Sequence, residues 1–375
     1  VSQASVEQRA GRAGRLGPGV CIRLFDQGDY QSRPPQLPPE VERSELSSAL
    51  LFLHGIGEPE LPWFEPPRAA AWQAAAELLS RLGFAAGGGI TESGRRALAL
   101  PTHPRLARVI EVGCELGVGA SACLAAAAID SGPVRVVPAE VGSESDIVDE
   151  VELLREGRRG GGVDGRAARE ARQLGRQLQA ASSAGDDREL DDDSWTRALC
   201  KAIAAGFLDR VCRRRQPGAV ALVIAGMRNA ALAPGSAVHD AELMVAVDGA
   251  VLGAAGGRRL EVRRASAVEL DWLIDLDADG FEDADVHELD DGGRVRRVRR
   301  LSYAGVVVDE EVITDPKQLD GRAASRALLE GLPELPWRAC RDHESVERLR
   351  YRLQLLGEPD ALSDQVIEET LGEAC

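Results

Sequence analysis

The sequence contains few of the patterns that mark metal centres, disulfide frameworks or hydrolytic triads. Its seven cysteines include no CxxC pair, its five histidines show no HxxxH spacing, and no GxSxG motif occurs. Zinc sites commonly use paired cysteines or histidines at such spacings, a serine-hydrolase elbow uses GxSxG, and an odd number of cysteines disfavours a disulfide framework. We therefore expect no metal-binding residues, and we expect the cysteines to be free thiols.

Aromatic residues and long apolar runs are also scarce. Phe, Trp and Tyr make up 4% of the 375 residues. No stretch approaches the roughly 18 apolar residues that span a bilayer, and no basic and apolar leader follows Val1. This composition favours several small, largely helical domains in a cytoplasmic protein without a membrane segment.

The charge balance excludes a protein whose surface is basic throughout. The formal net charge is −16, and only two of the 45 basic residues are lysines. Because phosphate contacts supply most non-specific affinity for nucleic acid, any such surface on this chain must be local. Two basic stretches qualify, residues 155–176 and the RVRRVRR segment at 294–300, and within the latter Arg297 and Arg299 are candidate nucleic-acid contacts.

What the sequence does contain is the octamer QRAGRAGR at residues 8–15. At about 100° per residue, Gln8, Arg12 and Arg15 lie within a stripe of roughly 60° on one helix face. The small residues between them permit close approach, although each glycine costs roughly 1 kcal/mol relative to alanine in a helix interior. Guanidinium groups bind phosphate oxygens in bidentate fashion and stay charged. The octamer therefore predicts a phosphate-facing helix, with an arginine-rich solvated helix as the alternative.

The octamer and its continuation PGVCIRL at residues 18–24 resemble motif VI of the DEAH-box superfamily 2 helicases. The resemblance implies that this segment completes a second RecA-like domain. It also implies that Gln8, Arg12 and Arg15 contact the γ-phosphate of ATP, with the two arginines acting as arginine fingers. ATP and Mg²⁺ are the implied cofactors, held mainly by a first RecA-like domain in cis.

A second segment, ITESGRRALALPTHPRLARVI at residues 90–110, resembles the start of the helical domain in the same family. Two prolines there end one helix and begin the next, and His103 between them is predicted to be a turn residue. Arg105 and Arg108 share a helix face at i, i+3. Structural salt bridges and contacts to a nucleic-acid strand both fit that position.

Three later segments narrow the resemblance to the bacterial HrpB-type subgroup of DEAH-box helicases. They are GFLDRVCRRR from residue 206, AGMRNAAL at 225–232 and ELMVAVD at 242–248. The sequence departs from that subgroup at Phe207 and Leu208, and again within the second segment at Met227, Asn229 and Ala230.

These signals together predict a multidomain α+β fold with five parts. We expect the end of a RecA-like α/β domain at 1–31, a linker and winged helix at 32–90, a ratchet-like helical bundle at 91–216, an OB-like β-barrel at 217–315, and a truncated C-terminal helical region at 316–375.

Apolar periodicity places the elements within those parts. Helices are predicted over 40–57, 72–82, 116–128, 147–154, 167–181 and 195–213, and a β-wing is predicted around the glycine run 87–89. Short β-type runs follow residue 218, and the DDGG sequence at 290–293 predicts a hairpin turn.

One acidic segment imitates a calcium loop. Asp275, Asp277 and Asp279 occupy positions 1, 3 and 5 of an EF-hand pattern, but position 12 is Val286 rather than the bidentate Glu. We expect an acidic helix end there rather than a calcium site.

ATP hydrolysis in the DEAH-box class requires a GxxxxGK[ST] loop and a DExH acid, and this sequence has neither. We therefore expect a C-terminal piece of an ATP-dependent helicase that is inactive by itself. The intact protein would couple ATP hydrolysis to translocation along single-stranded RNA or DNA. The alternative is a non-catalytic accessory module that binds nucleic acid or docks on a helicase.

Overall fold

The computed structural model describes residues 1–138, 141–158, 160–225, 227–253, 258–290, 295–313 and 343–355, with Ala323, Ala327 and Val366. The chain divides into two compact units. Unit 1 comprises Val1–Arg108 and Ala180–Ser183, and unit 2 comprises Val109–Gln179 and Ala184–Cys375.

Unit 1 is mainly helical. Its elements are α1 (Gln3–Gly11), a 3-10 turn (Arg12–Gly14), α2 (Gln27–Ser32), α3 (Glu40–Arg43), α4 (Ser47–Ile56), α5 (Ala69–Arg81), the strands β1 (Ala85–Ala86) and β2 (Gly89–Ile90), and α6 (Glu92–Leu98). The next helix, α7 (Pro104–Leu116), begins in unit 1 and ends in unit 2.

The core of unit 1 forms where α4, α5 and α6 present their apolar faces to one another. Leu50, Leu79 and Phe84 are 2%, 0% and 0% exposed within this cluster. The short strands β1 and β2 pair antiparallel, and the turn between them needs two glycines with positive φ, Gly87 and Gly88. The predicted hairpin at the glycine run is confirmed.

Unit 2 begins with helices α8 (Gly119–Ser131), α9 (Asp146–Arg155), α10 (Gly165–Ser182) and α11 (Asp192–Gly206). Helix α8 is rich in alanine and buried on most of its surface. Helix α10 packs closely against α8 at Gly175. A Cβ added there would stand 2.9 Å from Leu124 Cδ2 of α8. The four helices match the predicted ones except at the end of α11.

Five strands then close into a barrel: β3 (Val211–Arg214), β4 (Ala221–Ile224), β5 (Met227–Leu232), β6 (Leu243–Leu252) and β7 (Arg259–Ala267). The strand order is β3-β4-β5-β7-β6, and β6 pairs with β3 to complete the closure. Only β5 and β7 pair in parallel. Leu222, Met244 and Val262 are fully buried in the barrel interior.

The helix predicted over 195–213 is wrong at its end. Helix α11 stops at Gly206, a 3-10 turn follows at Leu208–Arg210, and Val211 already pairs with Val245 in the barrel. The β-branched side chain of Val211 is buried on the pleated surface, where it packs better than on a helix. The barrel therefore begins before the expected boundary at residue 217.

The later strands form a separate sheet. After α12 (Leu270–Leu276) and a 3-10 turn (Ala278–Gly280) come β8 (Phe281–Leu289), β9 (Val295–Tyr303) and β10 (Val306–Ile313), in the antiparallel order β10-β9-β8. The predicted pairing across the DDGG sequence is confirmed between β8 and β9, although the turn at 291–294 lies outside the described residues. The β region expected as one barrel thus contains two sheets.

Helix α13 (His343–Leu355) is the last described element, and most of the expected C-terminal helical region lies outside the described residues. In the part of the chain that the structure describes, no helix combines the length and apolar character required to cross a membrane.

Candidate functional site

The QRAGRAGR segment occupies the end of α1 and the 3-10 turn that follows it. Helix α1 begins at an N-cap, Ser2, whose side chain accepts a hydrogen bond from Ser5 N, and it ends at Gly11. The prediction of a single α-helix through Arg15 is therefore wrong in its last turn. Arg12 begins the 3-10 turn, and Arg15 follows it as the C-cap with helical backbone angles.

The three predicted phosphate contacts are all solvent-exposed. Gln8, Arg12 and Arg15 are each exposed. Within the described residues, neither arginine forms an ion pair, whereas Arg23 nearby pairs with Glu7 at 2.8 Å. A guanidinium that stays charged and has no carboxylate partner is available to an anion.

The glycines around those arginines differ in what surrounds them. A Cβ added at Gly11 or Gly14 would meet no atom of the described structure within 4 Å. A Cβ at Gly19 would stand 1.8 Å from the carbonyl oxygen of Ala13. The chain after Pro18 thus folds back against the 3-10 turn, and the face at Gly11 and Gly14 stays open.

The start of α1 is held by backbone hydrogen bonds to a proline-rich segment. Gln3 N donates to Pro34 O and Ala4 N donates to Pro35 O, both at 3.0 Å. Two of the four N–H groups that every helix leaves without an intrahelical partner are satisfied in this way. The helix that carries the motif is therefore fixed to the chain at its first turn.

Arg105 lies at the first turn of α7 and is only 8% exposed. This burial does not favour a direct contact between Arg105 and a nucleic-acid strand, because strand contacts require a guanidinium at the surface. Arg108 is half-buried and already has a partner in the structure. For Arg105, the fold therefore favours a structural role over a contact with the strand.

His103 directly precedes helix α7, in the turn position that the sequence predicted. Its carbonyl accepts hydrogen bonds from Leu106 N and Ala107 N, and Nδ1 accepts one from Arg105 N at 3.2 Å. Its Nε2 lies 2.8 Å from Glu45 Oε2. The imidazole ring therefore joins the loop before α4 to the start of α7.

The four described arginines of the basic run at 294–300 are neutralised within their own sheet. Arg297 pairs with Asp285, and Arg299 pairs with Asp283 at 2.5 Å. Arg296 and Arg300 form ion pairs too, both with Glu288 at 2.6 Å. These pairings count against the expected nucleic-acid contacts through Arg297 and Arg299, since their charge is already balanced by acids of the neighbouring strand.

The acids that imitate a calcium loop are used in other ways. Asp277 Oδ2 accepts a hydrogen bond from Tyr303 OH at 2.8 Å, and Asp275 pairs with Lys201 at 2.7 Å. The described residues contain no cluster of side chains that could hold a metal ion.

A buried ionic cluster in unit 2 was missed by the sequence reasoning. Asp146 and Glu150, one turn apart on α9, are 1% and 2% exposed. Asp146 accepts hydrogen bonds from Ser236 Oγ at 2.6 Å, Ala237 N at 2.7 Å and Ala265 N at 3.0 Å. One carboxylate thus satisfies donors from two separate parts of the barrel.

Glu150 and Arg264 complete this cluster. Glu150 Oε2 lies 3.2 Å from Arg264 Nη1, and Arg264 also donates to the carbonyls of Ala128 and Ile129 at the end of α8. The cluster therefore ties α8, α9 and β7 together. The sequence carried a local signal for this cluster. Asp146 and Glu150 stand beside apolar residues such as Ile147, and charged residues at such positions are ordinarily expected on a solvated helix face.

Comparisons with known proteins identify relatives of the whole chain and of parts of it. No protein-family model matches the sequence. The ATP-dependent RNA helicase HrpB of Escherichia coli is 26% identical over 357 residues, which is 94% of this chain and 40% of HrpB. The probable ATP-dependent RNA helicase DHR2 of Saccharomyces cerevisiae is 39% identical over 122 residues, covering 30% of this chain and 17% of DHR2.

Solved structures agree with the sequence relatives. A crystal structure of E. coli HrpB, described as a DExH-box NTPase, matches 99% of this chain and 43% of its own with a TM-score of 0.62 at 24% identity. A second, described as a DEAH/RHA helicase, gives a TM-score of 0.63 over 99% of this chain and 44% of its own. The chain spans less than half the length of HrpB. In sequence the chain is similar to HrpB and to other DEAH-box RNA helicases, and in fold it is similar to HrpB.

Proposed function

We propose that this chain is part of an ATP-dependent RNA helicase and contributes one side of its nucleotide site. Gln8, Arg12 and Arg15 contact the γ-phosphate of ATP, and the two arginines stabilise the charge that develops during phosphoryl transfer. RNA is favoured over DNA because the relatives named above are RNA helicases.

The observation that carries the proposal is the pair of exposed guanidinium groups at the two ends of one short turn, neither of which has an ion-pair partner among the described residues. Arg12 begins the 3-10 turn and Arg15 caps it, with open space at Gly11 and Gly14. A triphosphate approaching that face meets two bidentate donors and no Cβ atoms. The donor set therefore fits an anionic nucleotide.

The same residues do not fit a metal. The described residues offer no cluster of metal ligands, and the sequence contains neither a GK[ST] loop nor a DExH acid. Mg²⁺ and most of the nucleotide would be held by a RecA-like domain in cis that this chain lacks. We accordingly propose that the chain alone does not hydrolyse ATP.

The β-barrel supports a role in binding the strand. Its order, β3-β4-β5-β7-β6 with closure between β3 and β6, corresponds to a five-stranded OB-like barrel. Folds of that kind commonly bind single strands. We assign α4, α5, α6 and the β1–β2 hairpin to a winged helix, and the helices from α7 to α11 to a ratchet-like bundle.

The test compares arginine variants of the full-length protein. Arg12→Ala and Arg15→Ala should each lower ATP turnover by about 1,000-fold or more, with ATP affinity largely kept. Arg95→Ala on α6, which removes an equally exposed arginine from unit 1, is the matched control and should leave turnover unchanged. Turnover within tenfold of the parent in both motif variants would contradict the proposal.

The non-catalytic accessory module is the competing function. It predicts that the chain's gene encodes no upstream GxxxxGK[ST] and DExH motifs, so sequencing the region upstream in frame separates the two. An ATPase activity of the purified chain that Arg12→Ala abolishes would contradict the proposed inactivity of the chain by itself.

A further inference from the structure

Three side chains beside the motif form a closed cluster that no part of the proposed chemistry uses. Arg23 Nη2 lies 2.8 Å from Glu7 Oε1, and Tyr30 OH donates a hydrogen bond to the same oxygen at 2.9 Å. The guanidinium carbon of Arg23 stands 4.9 Å from the centre of the Tyr30 ring. Glu7, Arg23 and Tyr30 therefore contact one another pairwise, and we call them the Glu7 cluster.

The Glu7 cluster joins the motif helix to the chain that follows it. Glu7 is on α1, one residue before the QRAGRAGR segment, Arg23 is in its continuation, and Tyr30 is on α2. Residues 15–26 contain no helix or strand, and nearly all of them are exposed. The Glu7 cluster is one contact that attaches these residues to the start of the chain. The close approach of Gly19 to Ala13 is another.

Glu7 faces away from the phosphate stripe. At about 100° per residue within α1, Glu7 lies within about 40° of Gln3 and about 100° from Gln8, the first residue of the stripe. Gln3 on that same side donates to Arg33 O at 3.0 Å. One side of α1 is thus held by hydrogen bonds, and the adjacent side carries Gln8.

We propose that Glu7 is a positioning residue for Arg12 and Arg15. By holding Arg23 and Tyr30, its carboxylate fixes the rotation of the last turn of α1 and the course of the chain after the 3-10 turn. The two guanidinium groups are then presented in one orientation, which lowers the entropy that must be lost when they meet a phosphate. This inference rests on the proposed function.

The charge state of Glu7 supports the same role. The hydrogen bond from Tyr30, followed by the hydrogen bond and charge of Arg23, lowers the pKa of Glu7 below its usual range. The carboxylate is therefore ionised at working pH and keeps both partners.

The experiment measures ATP turnover and ATP KM in the full-length protein carrying Glu7→Gln. Gln keeps the size of the side chain but loses the charge that holds Arg23, so kcat should fall about threefold to tenfold while KM changes less than twofold. Glu7→Asp should recover part of the loss. Glu92→Gln on α6 is the matched control, because it removes an exposed acid that pairs with an arginine elsewhere in unit 1.

A double variant separates positioning from general stability. If Glu7 acts through Arg12, Glu7→Gln should add little further loss of kcat to Arg12→Lys, whereas a purely structural role predicts that the two losses multiply. An unchanged kcat in Glu7→Gln, or multiplying losses with a lowered melting temperature, overturns the inference. If Arg12→Ala itself leaves turnover intact, the proposed function fails first, so the two failures are distinguishable.

Discussion

At the scale of single residues, the glycines of the motif and its continuation meet different requirements. Gly11 and Gly14 leave an open face, whereas Gly19 allows the chain to cross Ala13 at a distance that a Cβ would violate. The sequence alone identifies these three glycines as small residues and does not distinguish their roles. Their surroundings show that only Gly19 is required by the packing of this chain.

Replacing Gly19 by Ala should displace the 3-10 turn, because the added methyl would overlap the carbonyl of Ala13. We expect faster hydrogen exchange in residues 12–24 and a loss of stability of about 1–3 kcal/mol. Gly14→Ala is the matched control, and it should be neutral or stabilise by up to about 1 kcal/mol. Equal stability for the two variants would contradict the close approach seen at Gly19.

Glu45 gives a pH-dependent prediction for unit 1. Burial raises its pKa, but hydrogen bonds from His103 and Ser47 outweigh burial and lower the pKa from 4.5 to about 2. A carboxyl with a lowered pKa in the folded state stabilises above its unfolded pKa, and this contribution is lost as the pH falls from about 4.5 towards 2.

The test compares the parent chain with Glu45→Gln by chemical denaturation. Because the Glu45 side chain is 48% exposed, we discount the shift for solvent screening and expect a loss of at most about 1 kcal/mol at pH 6. The difference should shrink as the pH is lowered through 4. A difference that grows on acidification would show that the Glu45 carboxylate does not stabilise the fold.

At the scale of elements, the buried cluster of Asp146, Glu150 and Arg264 determines how helices and barrel join in unit 2. The carboxylate of Asp146 accepts hydrogen bonds from backbone and side-chain donors. The guanidinium of Arg264 donates to backbone carbonyls at the end of α8. Burial raises the pKa of Glu150, with Arg264 opposing it. A buried ionic cluster of this kind specifies one arrangement, and removing a single member leaves a buried charge without its partner.

Arg264→Gln should therefore destabilise unit 2 by about 3–5 kcal/mol. Arg263→Gln on the same strand is the matched control, because Arg263 is 54% exposed and pairs only distantly with Glu261. The control should change stability by less than about 0.5 kcal/mol. Thermal unfolding followed by circular dichroism measures both, and similar melting temperatures would contradict a central role for the cluster.

At the scale of the whole molecule, charge limits what the chain binds unaided. The net charge is −16, and the most basic run is paired with acids inside its own sheet. An acidic protein whose most basic run is paired internally gains little from counterion release.

We expect the purified chain to bind single-stranded RNA weakly, with a dissociation constant of about 10 µM or above at physiological salt. The slope of log K against log salt should be shallower than about −3, which corresponds to about four phosphate contacts. Arg297→Gln and Arg299→Gln together should change the affinity by less than about twofold. If the parent bound RNA at nanomolar concentration and the double variant did not, the ion pairs with Asp283 and Asp285 would have to break when RNA binds, and the expectation would be wrong.

Much of the local structure followed from the sequence. The helix that carries the start of the octamer, the glycine turn between β1 and β2, and the pairing of β8 with β9 each depend on residues close together in the chain. The end of α11 did not follow, because the apolar pattern of residues 206–213 suits a buried helix or a buried strand equally well. Pairing of Val211 with Val245 decided between them.

By itself, the sequence predicted a phosphate-facing motif, a resemblance to the DEAH-box helicases and the order of most helices and strands, because these depend on local spacing and residue type. Only the tertiary structure decided which arginines remain free. Arg105 is buried, Arg297 and Arg299 are paired across strands, and Arg12 and Arg15 stay exposed without partners among the described residues. Pairing and burial depend on distant parts of the chain, as Arg264 and Glu150 show at a separation of 114 residues.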